Sequence, residues 1–454
     1  MKTVPSAAEW KALSSAIAGD VVLPGSDEYE SSRKPAMARF WGVRPAAVVR
    51  CRTPEDVVEA VAVARRSNIA VTARSGGHCF DGGSSSPGLV LDVGPMNAVS
   101  VADGTVTVGA GARLGPLYDA LAEHGRTIAG GYGPTVGIAG LTLGGGLGIL
   151  GRRHGLTSDQ LLAAEVVLAD GQIVSCDEHH HGDLFWALRG AGGCRFGVAT
   201  SFVLATLPEP EATTFDLRWP PVVAATLVDA WQHWGPDAPD EVAASLLLTA
   251  GPDPDRPITV KVFGAALGSE ADARRALDAF IARAGIDLVA AAFAQLPYRE
   301  AKRHLAEAGE EPAEEPGHLY AKSEFFRAPL SALTIAALVE HLGADRVPGE
   351  ERELDFTPWG GAYNRVPADA TAFVHRAERF VLKYQVVVAP ELTSAARGWL
   401  ARSWALTHAG GGAYPNFPDA DLGPWDAAYH GANLDRLLQV KARYDPEGTF
   451  GDAR

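Results

Sequence analysis

The chain has 454 residues, 47% of them apolar and 21% charged, enough hydrophobic material for more than one large core. A net charge of −15 with no lysine or arginine run argues against the basic face that nucleic acid or an anionic membrane requires. No stretch has the apolar length of a bilayer span or a signal-peptide core, and none of the cysteines at 51, 79, 176 and 194 forms a Cys-x-x-Cys pair, so a cytoplasmic protein without disulfide framework or structural zinc is expected.

In chain order, Thr53-Pro54-Glu55-Asp56 is a helix start, with an N-cap, proline in the first turn and acids beside the positive helix end. The helix is predicted to run to about Ser67 and to be followed by a strand, Ile69–Thr72. A glycine- and serine-rich loop, Arg74 to Ser86, leads to a strand at Leu89–Val93. Asp103-Gly104 turns the chain into the alternating Val106 and Val108, and Leu114 to His124 is a helix closed by Gly125. Helix and strand alternate here as in an α+β or α/β layer. A second glycine-dense segment, Ala129 to Gly155, contains a formal Gly-x-Gly-x-x-Gly at Gly146, Gly148 and Gly151. It is not a dinucleotide fingerprint, because glycines and a proline stand where the preceding strand is needed. Leu161–Leu168 and Ile173–Cys176 form a hairpin pattern around Asp170-Gly171. The run Glu178-His179-His180-His181 is read as a solvated loop, since adjacent histidines cannot share one helical face. A short helix, Asp183–Leu188, and a strand, Phe196–Leu204, precede a boundary at Pro208-Glu209-Pro210.

Beyond that boundary the elements are longer and conventionally amphipathic. Strands are expected at Phe215–Trp219, Ala244–Leu248, Ile258–Phe263, Leu354–Thr357 and Phe380–Val388. Helices are expected at Ala225–Trp234, Ala271–Ala284, Leu330–Leu342 and from about Ser394 to Thr407. This is the pattern of an antiparallel sheet backed by helices on one side, with Glu310 to Gly317 as an exposed acidic connection. The last fifty residues return to turn-rich sequence around Gly410–Asp419, and no internal repeat is present.

The chemistry concentrates in the loop Arg74-Ser-Gly-Gly-His-Cys-Phe-Asp-Gly-Gly-Ser-Ser-Ser86. Its glycines permit the backbone to turn amides toward an anion, and one imidazole, His78, and one thiol, Cys79, stand within it. By itself this is either a tight surface turn or a phosphate cradle carrying a reactive nitrogen.

Several further motifs occur with it in order: Pro134-Thr-Val-Gly-Ile-Ala-Gly140, Gly144-Gly-Gly-x-Gly148, Gly155-Leu-x-x-Asp159, Asp183-Leu-Phe-Trp-Ala-Leu-Arg-Gly190, Thr371-Ala-Phe-Val-His375-Arg376, Tyr414-Pro-Asn416-Phe and Tyr429-His-Gly-x-Asn433. Together they resemble the berberine bridge enzyme-like oxidases of the vanillyl-alcohol oxidase / p-cresol methylhydroxylase superfamily. The resemblance implies an α+β fold, with a two-part FAD-binding domain of residues 1–207 and 405–454 and a substrate domain of residues 208–404 inserted between them. It implies FAD held by Arg74, Ser75, Gly76, Gly77, His78, Cys79, Gly83, Ser84, Pro134, Thr135, Val136, Gly137, Gly140, Gly144, Gly145, Gly148, Val198 and Asn416. His78 matches the histidine that bonds covalently to the flavin 8α carbon, which raises the flavin's electron affinity. Many relatives add a cysteine link just before Pro-Thr-Val; here Tyr132 and Gly133 stand there, so a single link through His78 is expected. Arg195 stands where relatives often have asparagine.

The implied activity is hydride transfer from a small or medium organic substrate of aromatic-alcohol, amine or secondary-metabolite type, followed by reduction of dioxygen to hydrogen peroxide. Tyr414 matches the base of several relatives, and Lys322, His375, Arg365 and Arg376 are candidate cations to tune it. Val136 matches a position where valine accompanies oxygen access. A dehydrogenase with another acceptor, a carbohydrate oxidase and a non-catalytic flavoprotein remain alternatives.

Overall fold

Residues 4–307 and 316–450 are described by a computed structural model of the chain. The helix Pro54–Ser67 starts as its sequence predicts: the Asp56 amide donates to Thr53 Oγ1 and the Thr53 amide to the Asp56 carboxylate, each at 3.3 Å. Asn68, in the left-handed conformation, closes it. Its buried stripe of Val57, Ala60, Val61 and Ala64 joins the core under a four-stranded sheet ordered Asp20–Val22, Ala47–Arg50, Leu89–Asp92, Val71–Arg74. The last three of these strands run parallel. An antiparallel sheet follows, ordered Val99–Ala102, Thr105–Gly109, Val198–Ala205, Leu161–Val167, Ile173–Cys176. The two sheets share one core, which also takes Leu437 and Val440 from the helix Leu434–Tyr444.

The third sheet has seven antiparallel strands, ordered Ala290–Pro297, Glu211–Trp219, Thr259–Leu267, Val242–Ala250, Glu351–Pro358, Phe380–Val388, His318–Phe326. One face packs on the helices Ala224–Trp234, Glu270–Ala284, Ala332–Gly343 and Thr393–Thr407 in a separate core. Leu354 and Phe356 point into that core, and the period of two leaves Glu353, Asp355 and Thr357 half-buried on the other face.

Several boundaries differ from the sequence expectation. The strand expected at Ile69–Thr72 begins at Val71 because the Ile69 amide still closes the preceding helix on Ala64 O at 3.0 Å, and Arg74 ends it. Ala290–Pro297 and His318–Phe326 carry no clear alternation, and the alanines of Ala290–Pro297 have low strand propensity and take an edge position; the helix Tyr298–Glu307 adds to the expected set, with Tyr298, Ala301, Lys302 and Leu305 buried at helical spacing. Most of the expected acidic connection at 310–317 lies outside the described residues. His179 and His180 are exposed, and no metal-holding cluster exists among the described residues. Among them, too, no helix is long and apolar enough to cross a membrane.

Between the strands Glu351–Pro358 and Phe380–Val388 the chain leaves the third sheet for the first core. The amides of Ala372 and Phe373 donate to Trp186 O and Arg189 O at 3.2 and 3.1 Å, and Arg376 forms a bidentate pair with Asp159 at 2.8 and 2.6 Å. Both side chains are at least nine-tenths buried, at 2% and 9% exposure. Asp159→Asn leaves a buried guanidinium without its counter-charge, and the expected loss is about 3 kcal/mol. Denaturant unfolding followed by circular dichroism checks it.

Candidate active site

Arg74 organises the first glycine-rich loop from its start. Its guanidinium donates to Ser84 O at 2.9 Å, Ser32 O at 2.7 Å and Arg33 O at 3.0 Å, which ties the two ends of the loop together. Within that closure Gly77 and Gly82 adopt φ of 76° and 88°, a region that side chains disfavour. Gly76 lies against the second glycine-rich segment so closely that a Cβ on it would stand 2.3 Å from Gly137 N. The Pro134–Ile138 stretch is fixed in turn by Gly115 N donating to Pro134 O, Leu114 N to Val136 O and Ile138 N to Ala112 O, all at 2.9–3.0 Å.

These loops wall a cavity of about 670 Å³ that runs to the free face of the seven-stranded sheet. Of the residues singled out in the sequence, Ser75, Gly76, Gly77, His78, Cys79, Gly83, Ser84, Val136, Gly137, Gly140, Gly148, Tyr414 and Asn416 line it. Arg74 and Thr135 instead face a second, polar cleft behind the loop, onto which His78 also opens. Gly144 and Gly145 are packed beneath Asn416 and Phe373. Pro134 packs where Gly115 has no side chain, and Val198 faces the core while its neighbours Gly197 and Ala199 reach the cavity.

His78 Nε2 lies 2.9 Å from Thr135 Oγ1. Burial, and after it the charge of Arg113, holds the imidazole below its ordinary pKa, so the ring is neutral at pH 7. Tyr414 is 1% exposed, and its oxygen accepts from Gly146 N and Leu147 N at 3.0 Å and from Asn416 Nδ2 at 3.3 Å. Burial pushes its pKa up to about 12 despite those donors. None of the four candidate cations bonds to it: Lys322 pairs with Asp419 and Asp421, Arg365 with Asp240, Arg376 with Asp159, and His375 bonds to Tyr429 O.

The sheet side of the cavity holds groups the sequence did not single out. Lys383 stands opposite Asp355 in the strand register, 2.9 Å from Glu353 and 3.6 Å from Asp355. Thr357 Oγ1 donates to Asp355 at 3.2 Å. Burial, with Glu353 adding to it, raises the Asp355 pKa against the pull of Lys383. Phe80 and Phe417 stack with centroids 5.8 Å apart, and the Lys383 ammonium sits 5.6 Å from the Phe417 ring. The alternation Glu353-Leu354-Asp355-Phe356-Thr357 signals a two-faced strand, and it does not distinguish a solvated polar face from one turned into a cavity.

The wall fits an extended phosphate-bearing ligand. Ser84 Oγ is buried with no protein partner, Gly76 and Gly137 meet backbone to backbone, and His78 presents a neutral ring. The family described as FAD binding domain matches residues 45–177, and the family described as berberine and berberine like matches residues 413–453. The FAD-linked oxidoreductase YvdP of Bacillus subtilis is 32% identical over 445 residues, covering 96% of this chain and 97% of that protein. The structure of Physcomitrella patens BBE-like 1 superposes with a TM-score of 0.88 at 27% identity, covering 98% of both chains. The glucooligosaccharide oxidase of Acremonium strictum, described as carrying 6-S-cysteinyl, 8α-N1-histidyl FAD, superposes at 0.87 with 25% identity, covering 98% of both chains. The fold and these matches define a flavin-dependent oxidoreductase. The chain belongs to the berberine bridge enzyme-like FAD-linked oxidases of the vanillyl-alcohol oxidase / p-cresol methylhydroxylase family.

Gly144 has no space for a side chain, since a Cβ there would stand 2.1 Å from Asn416 Oδ1. Gly144→Ala is expected to displace Asn416, free Leu141 O and Tyr414 Oη from its amide, and lower FAD content in the purified protein. The ratio of flavin absorbance to protein absorbance measures it.

Proposed function

We propose that this enzyme oxidises a small or medium organic molecule with an aromatic or apolar body, using FAD attached through His78 alone and dioxygen as final acceptor. The observation that carries the reading is a cavity-facing carboxylate, Asp355, beside a stacked aromatic pair, Phe80 and Phe417. The chemistry supplied by bound FAD is acceptance of a hydride and its delivery as two electrons to oxygen.

The chain's residues then have separate tasks. The Arg74–Ser86 loop offers the Ser84 hydroxyl and glycine backbone to the phosphates, and His78 offers its ring to the flavin edge. Phe80 and Phe417 exclude water and favour a flat substrate over a hydrated sugar. Asp355 takes the substrate's O–H or N–H proton, and Lys383 and Thr357 hold it in place. Tyr414, expected from sequence as the base, keeps its proton at neutral pH; its three donors favour a role in holding the 146–147 turn. Single attachment is supported by Tyr132 and Gly133, which offer no sulfur, and Val136 on the cavity wall is compatible with oxygen access. A cytoplasmic setting is part of the same proposal.

Acid precipitation tests the cofactor: flavin stays in the pellet of the wild type and leaves it in His78→Ala. Peroxide release on aromatic alcohols, amines and oligosaccharides tests the substrate class; activity confined to oligosaccharides would favour the carbohydrate-oxidase reading, which the Acremonium relative supports. Fast flavin reduction without peroxide would identify a dehydrogenase. Asp355→Asn is expected to lower kcat by about 10²–10⁴-fold. In the wild type, kcat/KM should rise with pH along a limb above the ordinary aspartate range, because the base works only when ionised; that limb should vanish in the variant. Tyr414→Phe should keep it.

A further inference from the structure

We propose that Thr135 is a positioning residue for covalent attachment at His78: its hydroxyl engages Nε2 and thereby leaves Nδ1 as the nitrogen that bonds to the flavin. The inference rests on the reading above that His78 carries FAD. Its basis is the geometry of the ring. Nε2 has Thr135 Oγ1 at 2.9 Å, so the hydroxyl occupies that nitrogen of the ring. Thr135 is not placed by its own side chain, which is exposed. It is held by the backbone bonds that Pro134, Val136 and Ile138 make to the 112–115 stretch, and by the contact of Gly76 with Gly137.

A hydroxyl suits both ends of the step. Before attachment the neutral imidazole carries its proton on Nε2, which donates to Thr135 Oγ1 and leaves the Nδ1 lone pair free. After attachment through Nδ1, Nε2 keeps a lone pair and accepts the Thr135 O–H instead. A carbonyl or carboxylate could serve only the first state. In the net reaction the imidazole N–H and one C–H of the flavin methyl group break, and the Nδ1–carbon bond forms. The two protons and two electrons released go to dioxygen, giving hydrogen peroxide. The Nε2 proton leaves on the Thr135 side, where the polar cleft behind the loop opens beside Asp92 and Arg113.

The test compares wild type, Thr135→Val, Thr135→Ala and Thr135→Ser, expressed identically, for flavin bound in the native protein and flavin kept in the acid pellet. The Val and Ala variants are expected to bind flavin natively and to lose about tenfold in the covalent fraction at equal expression time. The Ser variant is expected to restore most of it. Equal covalent fractions in wild type, Val and Ala overturn the role of Thr135 while leaving His78 attachment intact. Failure of Ser to rescue overturns it too, since the hydroxyl is then not what is required. Loss of native flavin together with the covalent fraction also overturns it, because the proposal confines Thr135 to the bond-forming step. Release of all flavin from the wild type is a different failure: it removes covalent attachment itself, and this inference with it.

Discussion

The site depends on one contact, the meeting of two backbones at Gly76 and Gly137. With a Cβ at either position the nearest backbone nitrogen would lie 2.3 Å away, well inside van der Waals separation. That closeness lets the His78 loop and the Pro134–Ile138 stretch act as one wall, although they come from chain segments some sixty residues apart. The same device recurs deeper in the site: Gly148 passes Gly130 O at a distance that would leave a Cβ only 1.9 Å from it. Elsewhere in 129–155 the glycines make room for side chains instead: Gly144 for Asn416, Gly145 for Phe373, Gly146 for Thr157 and Gly151 for Tyr363.

The opposite wall is built on a different principle. A seven-stranded antiparallel sheet buries one face under helices and turns the other to the cavity, so every second residue of Glu351–Pro358 is free to be polar. Asp355 and Glu353 would repel in so dry a place, and Lys383 on the neighbouring strand offsets them; burial works against the lysine, yet the two carboxylates keep its pKa above the ordinary value. With both carboxylates ionised the cluster carries one net negative charge, placed on the cavity wall at Asp355. The Arg376–Asp159 pair and the strand-like bonds of Ala372 and Phe373 lock this sheet to the flavin-binding half, so the two walls face each other in a fixed geometry.

What the sequence discloses follows from how local each signal is. The helix Pro54–Ser67 is legible because its capping box, first-turn acids and apolar stripe all lie within the element. The glycine loops are legible because positive φ and close approach leave a residue-type signature at the position itself. Asp355 and Lys383 are not, since a polar residue on alternate strand positions looks the same whether it faces water or a cavity. Phe80 and Phe417 stand 337 positions apart, and nothing local says that their rings stack. Ala290–Pro297 and His318–Phe326 become strands through pairing with distant partners, a tertiary cause that propensity does not contain. Tyr414 shows the same limit from the other side: its motif marks it, but only the fold reveals that Gly146 and Leu147 occupy its oxygen.

The tyrosine before Pro134 brings the two walls into one account. Tyr132 borders the cavity within electrostatic reach of Asp355, Lys383 and Glu353. Its ring, 36% exposed, stands at the second glycine-rich segment and faces the charged groups of the sheet. Three aromatic rings, Phe80, Tyr132 and Phe417, thus share the cavity lining with the Asp355 carboxylate and the Lys383 ammonium. Under the function proposed above, a flat, weakly hydrated substrate meets these rings without giving up water from hydroxyls.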